Sequence, residues 1–188
     1  MRLLILGPPG AGKGTQAAAL AARCRIPAIS TGDIFRSNVA AGTELGLKVR
    51  SILDSGGYVP DEVTNDLVRD RLTWDDARDG FLLDGYPRTA AQVDELDSIL
   101  LASGHRLDHV LELTVDTDEV VRRLLARAQT DGRTDDTVEV IRARQQLYTE
   151  QTEPLTTVYA ERGLLVRVDG LGEVEDVTAR LLSALGVS

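Results

Sequence analysis

The sequence predicts an α/β fold: a doubly wound, five-stranded parallel sheet covered by helices on both faces. Three observations predict it. Short, nearly continuous apolar segments recur at residues 2–6 (RLLIL), 26–30 (IPAIS), 81–84 (FLLD), 110–115 (VLELTV) and 164–168 (LLVRV). Helical patterns separate them, and strands apolar on both sides belong to a buried parallel sheet. With 188 residues, 43% hydrophobic and 27% charged, the chain can bury one substantial core and still carry insertions. It shows no internal repeat and no low-complexity linker.

Taken in order, the first strand runs into GPPGAGKGT and then a helix through AAALAARC, which places the single cysteine, Cys24, at the helix end as a small, reduced, partly buried residue. One cysteine makes neither an internal disulfide nor a zinc cluster. Residues 31–73 exceed a simple crossover and supply two or three short helices, with a turn at Gly56-Gly57 and a helix start at Pro60-Asp61. Residues 128–136 (AQTDGRTDD) read as a polar loop between an arginine-rich helix and a long helix beginning near Thr137. Both insertions are candidates for mobile elements over a site at the carboxyl ends of the strands.

Charge and hydropathy exclude whole classes. A net charge of −9 disfavours a nucleic-acid binder. No apolar run approaches the roughly 20 residues that span a bilayer. The apolar start passes directly into GPPG rather than into a cleavage region, so a cytoplasmic protein is expected, with no membrane partner.

The glycine loop carries the first chemistry. It follows a strand and opens a helix, where backbone N–H groups and the helix dipole favour phosphate. Gly7, Gly10, Gly12 and Gly14 let the backbone curl around an anion, and Lys13 can reach phosphate oxygens. The residue after Lys13 is Gly14, so the hydroxyl arrives one place late, at Thr15. A turn that merely needs glycine accounts for one or two of these residues, not for four with a lysine and a threonine. The double proline and the GKGT ending resemble the adenylate kinase and nucleoside monophosphate kinase family, with its P-loop NTPase type of sheet. The late hydroxyl is that family's pattern.

A second nucleotide site is expected from two further segments. STGD at residues 30–33 is, alone, most economically a helix amino cap through Thr31 or Asp33. Arg36 lies within a turn of it and could hold a phosphate bidentately. Within residues 82–92, LLDGYPRTAAQ, Asp84 resembles the acid that ends a buried strand in phosphate-loop proteins, which implies that it orders magnesium-bound water. GYPR has a plain reading as a turn with a solvated Arg88. The resemblance implies more: STGD…R and GYPR are similar to the family's acceptor elements, with Tyr86 in place of phenylalanine. Arg88 would then grip the acceptor phosphate beside Gly85 and Arg36. Gln92 would pair with the Watson–Crick edge of adenine, since its amide both donates and accepts. Pyrimidine-directed members carry asparagine there, so Gln92 with Thr31 favours AMP. Tyr58-Val59-Pro60-Asp61 is similar to the turn that closes the base pocket.

On the arginine-rich segment, Arg123 and Arg127 share a helix face. The plain reading is a solvated face, with Glu119 paired to Arg123 and Asp118 to Arg122. Arg133 and Arg144 follow, and four arginines around one loop suit polyphosphate. The resemblance implies that Arg123 stacks over the donor adenine, that Arg127 contacts donor phosphate, and that Arg133 and Arg144 close around the transferring group. With so few residues between Arg127 and Arg133 and no cysteine quartet, a short lid with no structural zinc is implied. Val168-Asp169-Gly170, with Gly172 beyond it, is similar to the donor-base turn.

The resemblance spans residues 1–185 and implies a single kinase domain: core 1–29, 60–127 and 137–188, acceptor-binding insertion about 30–59, lid about 128–136. Donor contacts fall to Gly10, Ala11, Gly12, Lys13, Gly14, Thr15, Arg123, Arg127 and Gly172. The implied reaction is ATP + AMP = 2 ADP, reversible, with Mg²⁺ held through water near Asp84 and Thr15. An acceptor phosphate already ionised near neutral pH requires no general base, and neither His105 nor His109 joins a motif. Nucleotides are the expected partners of a monomer. A UMP/CMP kinase and a catalytically silent nucleotide-binding protein are the alternatives. A GTP-binding switch lacks its guanine motif, because Asn38 and Asn65 are followed by valine and aspartate.

Overall fold

The structure, a computed structural model, describes residues 1–130 and 137–187, with backbone alone at residue 117 and over 125–130. Five strands form one all-parallel sheet: β1 (Arg2–Leu6), β2 (Ala28–Ser30), β3 (Phe81–Asp84), β4 (His109–Thr114) and β5 (Leu165–Asp169). Their spatial order is β2-β3-β1-β4-β5, with β1 central and the order reversing beside it. The expected five-stranded doubly wound sheet is the one observed.

The second strand is shorter than its apolar segment. Helix α1 (Lys13–Cys24) ends at Arg25 in the left-handed region (φ 55°), and the Ile26 amide donates back to the Ala21 carbonyl. Residues 25–26 therefore close a helix, and extended pairing begins two residues later. Cys24 is the last residue of α1 and is half-buried.

Alternation within β1 explains its unbroken apolar run. Leu4 and Leu6 face a core formed with α4 (Asp61–Leu72), α5 (Ala90–Ala102) and α8 (Leu155–Glu161). Leu3 and Ile5 face a second core under α1 and α9 (Val174–Ala184). None of the four is more than 3% exposed, and full burial of each stabilises by about 1.5–3 kcal/mol.

Between β2 and β3 lie α2 (Thr31–Ala41), α3 (Glu44–Asp54) and α4, followed by a 3₁₀ turn. Phe35, Val49 and Val59 form a small core that belongs to this insertion. A Cβ on Gly46 would stand 2.1 Å from the Asn38 carbonyl oxygen, so α2 and α3 meet at this glycine. The α2 cap differs from the expected one: Ser30, not Thr31 or Asp33, accepts from the Asp33 amide, and the Thr31 hydroxyl is used elsewhere.

Helix α6 (Thr117–Thr130) continues through the first three residues of the expected 128–136 loop, and the remainder of that loop lies outside the described residues. The long helix expected after it is α7 (Val138–Leu147), capped by Thr137, then a π-helical turn (Tyr148–Thr152) leading to Pro154 and α8.

Candidate active site

The carboxyl ends of β1 and β3, where the strand order reverses, open into a cavity of about 550 Å³. Lys13, Asp84, Arg88, Gln92, Arg123 and Arg144 all reach its wall. Open parallel sheets bind ligands in just this crevice.

On the donor side, Gly7, Gly10 and Gly12 take φ of 143°, 91° and 91°, a backbone that side-chain-bearing residues rarely adopt. Gly12 caps α1 without a side-chain cap hydrogen bond, and the amino end of a helix favours an anion. Lys13 donates its Nζ to the Gly7 and Pro8 carbonyls at 2.7 and 3.0 Å, lying across its own loop. Thr15 is exposed. A Cβ on Gly14 would come within 3.7 Å of Asp84 Oδ2, so a bare backbone faces the carboxylate.

Asp84 ends β3, half-buried. Burial pushes its carboxyl above the usual range, against the pull of Lys13 and Arg88. The reverse holds for Arg88: burial lowers its guanidinium, opposed by Tyr58 and Asp84. It remains a cation, as guanidinium does in proteins.

The acceptor elements converge on one carbonyl. Gly85 O accepts from Thr31 Oγ1 at 2.9 Å and from Arg88 Nε at 2.8 Å. Gly85 must be glycine here. It has φ 80°, and a Cβ would lie 2.9 Å from Arg88 Nη2 and 3.0 Å from the Thr31 hydroxyl. The Arg88 guanidinium stacks 4.8 Å above the Tyr58 ring. Arg36, on the next turn of α2, pairs with Asp33 at the cavity wall. Val59 is 6% exposed, packed beside Phe35 and Val49.

Gln92 is built into this wall. Its Oε1 accepts from the Arg88 amide at 2.7 Å, and its Nε2 donates to Asp61 Oδ1 at 2.6 Å. Thr89, the α5 cap, donates to the other Asp61 oxygen. One amide hydrogen and one lone pair remain to Gln92, fewer than a free base-reading amide would offer. Sequence reasoning missed Asp61 as the anchor of Gln92, having read it as a helix start and as the end of the turn that closes the base pocket.

Arg123 bridges the two sides of the donor region. Its Nη1 donates to Ala11 O of the glycine loop at 3.2 Å, its Nη2 to Gly170 O at 3.0 Å, and its Nε to Glu119. Arg122 also turns to Glu119, not to Asp118 as the plain reading had it. Three hydrogen bonds from the two guanidiniums hold the Glu119 carboxyl down at about 2. Arg180, which no motif flagged, donates to the Asp169 and Leu171 carbonyls, both at 2.7 Å, and so fixes the turn that contains Gly172. Arg144 enters from α7, where its side chain packs near Gly56 of the insertion. The Arg127 side chain and Arg133 lie outside the described residues.

Comparison with known proteins gives one family. Its adenylate kinase model matches residues 5–164. The adenylate kinase of a Nocardioides species is 62% identical over 187 residues, covering 100% of this chain and 98% of that protein. The adenylate kinase of Kocuria rhizophila is 61% identical over 184 residues, and that of Thermobifida fusca 57% over 185, each covering 98% of both chains.

Proposed function

We propose, from the premise that this chain belongs to the adenylate kinase family, that its cleft carries out ATP + AMP = 2 ADP by alignment and charge neutralisation alone. The observation that carries this reading is the gathering of Lys13, Arg88, Arg123 and Arg144 with Asp84 around one cavity at the switch point of the sheet. Among the described residues, neither histidine lines that cavity. An AMP phosphate oxygen bonds to the γ-phosphorus while the bond to the β-bridging oxygen breaks. The attacking group is already an oxyanion, so no proton has to move.

The glycine loop and the α1 amides would seat the donor phosphates, with Lys13 exchanging its loop carbonyls for phosphate oxygens. Arg88 and Arg36 would hold the acceptor phosphate, and Arg144, with Arg127 and Arg133 from the sequence reading, the transferring group. Arg123 and the turn at Gly170 and Gly172 would border the donor base. Thr31, Tyr58, Val59 and the residual valences of Gln92 would border the acceptor base. Domain limits, residues 128–136 as a short lid, and a monomeric state stand as further parts of this proposal.

Asp84 and Thr15 would hold Mg²⁺ through its waters. A single half-buried carboxylate facing the bare backbone of Gly14 suits an ion that keeps most of its water and takes its other oxygens from phosphate. Bound with ATP, Mg²⁺ supplies charge neutralisation at the β- and γ-phosphates. Among the described residues no helix is long and apolar enough to cross a membrane.

Phosphoryl transfer from Mg-ATP to AMP, CMP, UMP and GMP in parallel, with ADP alone as the reverse assay, tests the reading. A strong AMP preference with ADP disproportionation supports it. A CMP or UMP preference overturns the base assignment, and activity with none leaves a silent binding protein.

A further inference from the structure

One hydroxyl outside every motif ties the acceptor elements together. Thr152 ends the π-helical turn that follows α7 and is 5% exposed. Its Oγ1 lies 2.9 Å from the Arg88 carbonyl oxygen and 3.0 Å from the Tyr58 hydroxyl. A carbonyl only accepts, so the Thr152 proton points to Arg88, and the Tyr58 phenol donates to Thr152. The far end of the Tyr58 ring is thereby pinned, and on that ring the Arg88 guanidinium rests. Arg88 is thus held at its carbonyl by Thr152, at its Nε by Gly85 and across its face by a ring that Thr152 also holds.

We infer that Thr152 is a positioning residue for acceptor-phosphate binding: its hydroxyl, shared between Tyr58 and the Arg88 carbonyl, docks the insertion onto the core and sets the orientation of the Arg88 guanidinium. π-Helical turns re-aim side chains relative to a regular helix and recur at functional sites. Here the turn delivers one hydroxyl to two partners that are 94 and 64 residues away in the chain. The inference rests on the reading of Arg88 as the grip on acceptor phosphate.

The experiment compares the wild-type protein with Thr152→Val, Thr152→Ser, Tyr58→Phe, the Thr152→Val/Tyr58→Phe double variant and Arg88→Ala. Steady-state rates are measured with AMP varied at saturating ATP and with ATP varied at saturating AMP, alongside melting temperature. Thr152→Val is expected to lower kcat/KM for AMP about five- to tenfold, the size of a neutral hydrogen bond. KM for ATP should stay within about twofold in the same variant. Thr152→Ser should restore most of the loss, and the double variant should be no worse than its weaker single parent.

An AMP parameter unmoved in Thr152→Val overturns the inference. So does an equal loss toward both nucleotides, or a failure of serine to rescue. Arg88→Ala separates the two levels. If it abolishes AMP use while Thr152→Val is silent, only the role of Thr152 falls. If Arg88→Ala itself leaves AMP use intact, the acceptor-site reading falls and the inference falls with it.

Discussion

Asp84 carries its charge against its surroundings. Because burial raises its carboxyl, the folded chain holds that proton to a higher pH than the unfolded chain does. Stability from this group is therefore greatest at low pH and declines as pH rises from the ordinary carboxylate range through the raised folded value. Asp84→Asn should melt no lower than the wild type at neutral pH without nucleotide, and turnover should fall by about two orders of magnitude. A variant melting several degrees lower would show that the carboxylate serves as a structural counter-charge to Arg88. Glu119 has the opposite sign: held down at about 2, its contribution is present at neutral pH and is lost as pH falls from about 4.5 toward that value. Glu119→Gln should loosen Arg123 and raise KM for ATP more than KM for AMP, which a two-substrate kinetic comparison checks. Single residues were unevenly legible. Lys13 stands in a glycine loop whose context points to phosphate, whereas spacing alone left Arg88 and Arg123 as solvated arginines and only the family resemblance drew them toward the site. Asp61 and Thr152 act on partners distant in the chain, which nothing in their own neighbourhood marks, and Arg180 reaches back to Asp169 and Leu171 from a helix that no motif touches. Gln92 was read as an amide that pairs with adenine, and its commitment to the Arg88 amide and to Asp61 was not legible.

The elements most exposed to a small change are α2 and α3. A methyl at Gly46 would overlap the Asn38 carbonyl, so Gly46→Ala must push the helices apart. The expected loss is about 1–3 kcal/mol of stability, confined to the insertion, with KM for AMP raised and KM for ATP unchanged; melting and kinetics together check it. Element positions could be read from the apolar runs, because β1, β3 and β4 carry buried apolar residues on both faces, and Glu112 in β4 is the one polar residue that interrupts a run away from a strand end. Element ends could not. β2 begins late because Arg25 and Ile26 close α1, and α7 gives way to a π-helical turn that periodicity does not distinguish from a continuing α-helix.

Across the whole molecule the cleft is built from segments far apart in the chain: the loop after β1, the ends of β2 and β3, the insertion at residues 56–59, α6, α7 and the π-helical turn after it. Parallel order brings all the carboxyl ends to one edge, which is why a sheet inferred from apolar spacing already located the site. The separate core of Phe35, Val49 and Val59 has a consequence for hydrogen exchange. Amides of α2 and α3 should exchange through a partial opening of lower free energy than the global unfolding that exposes β1, and added denaturant should leave the two sets distinct until the main transition. Uniform protection across both would contradict this. A chain organised in that way has two melting units of unequal strength. Thermal fluctuation, or a cold-adapting substitution, could soften the acceptor arm while the sheet that holds the phosphate loop keeps its full cooperativity.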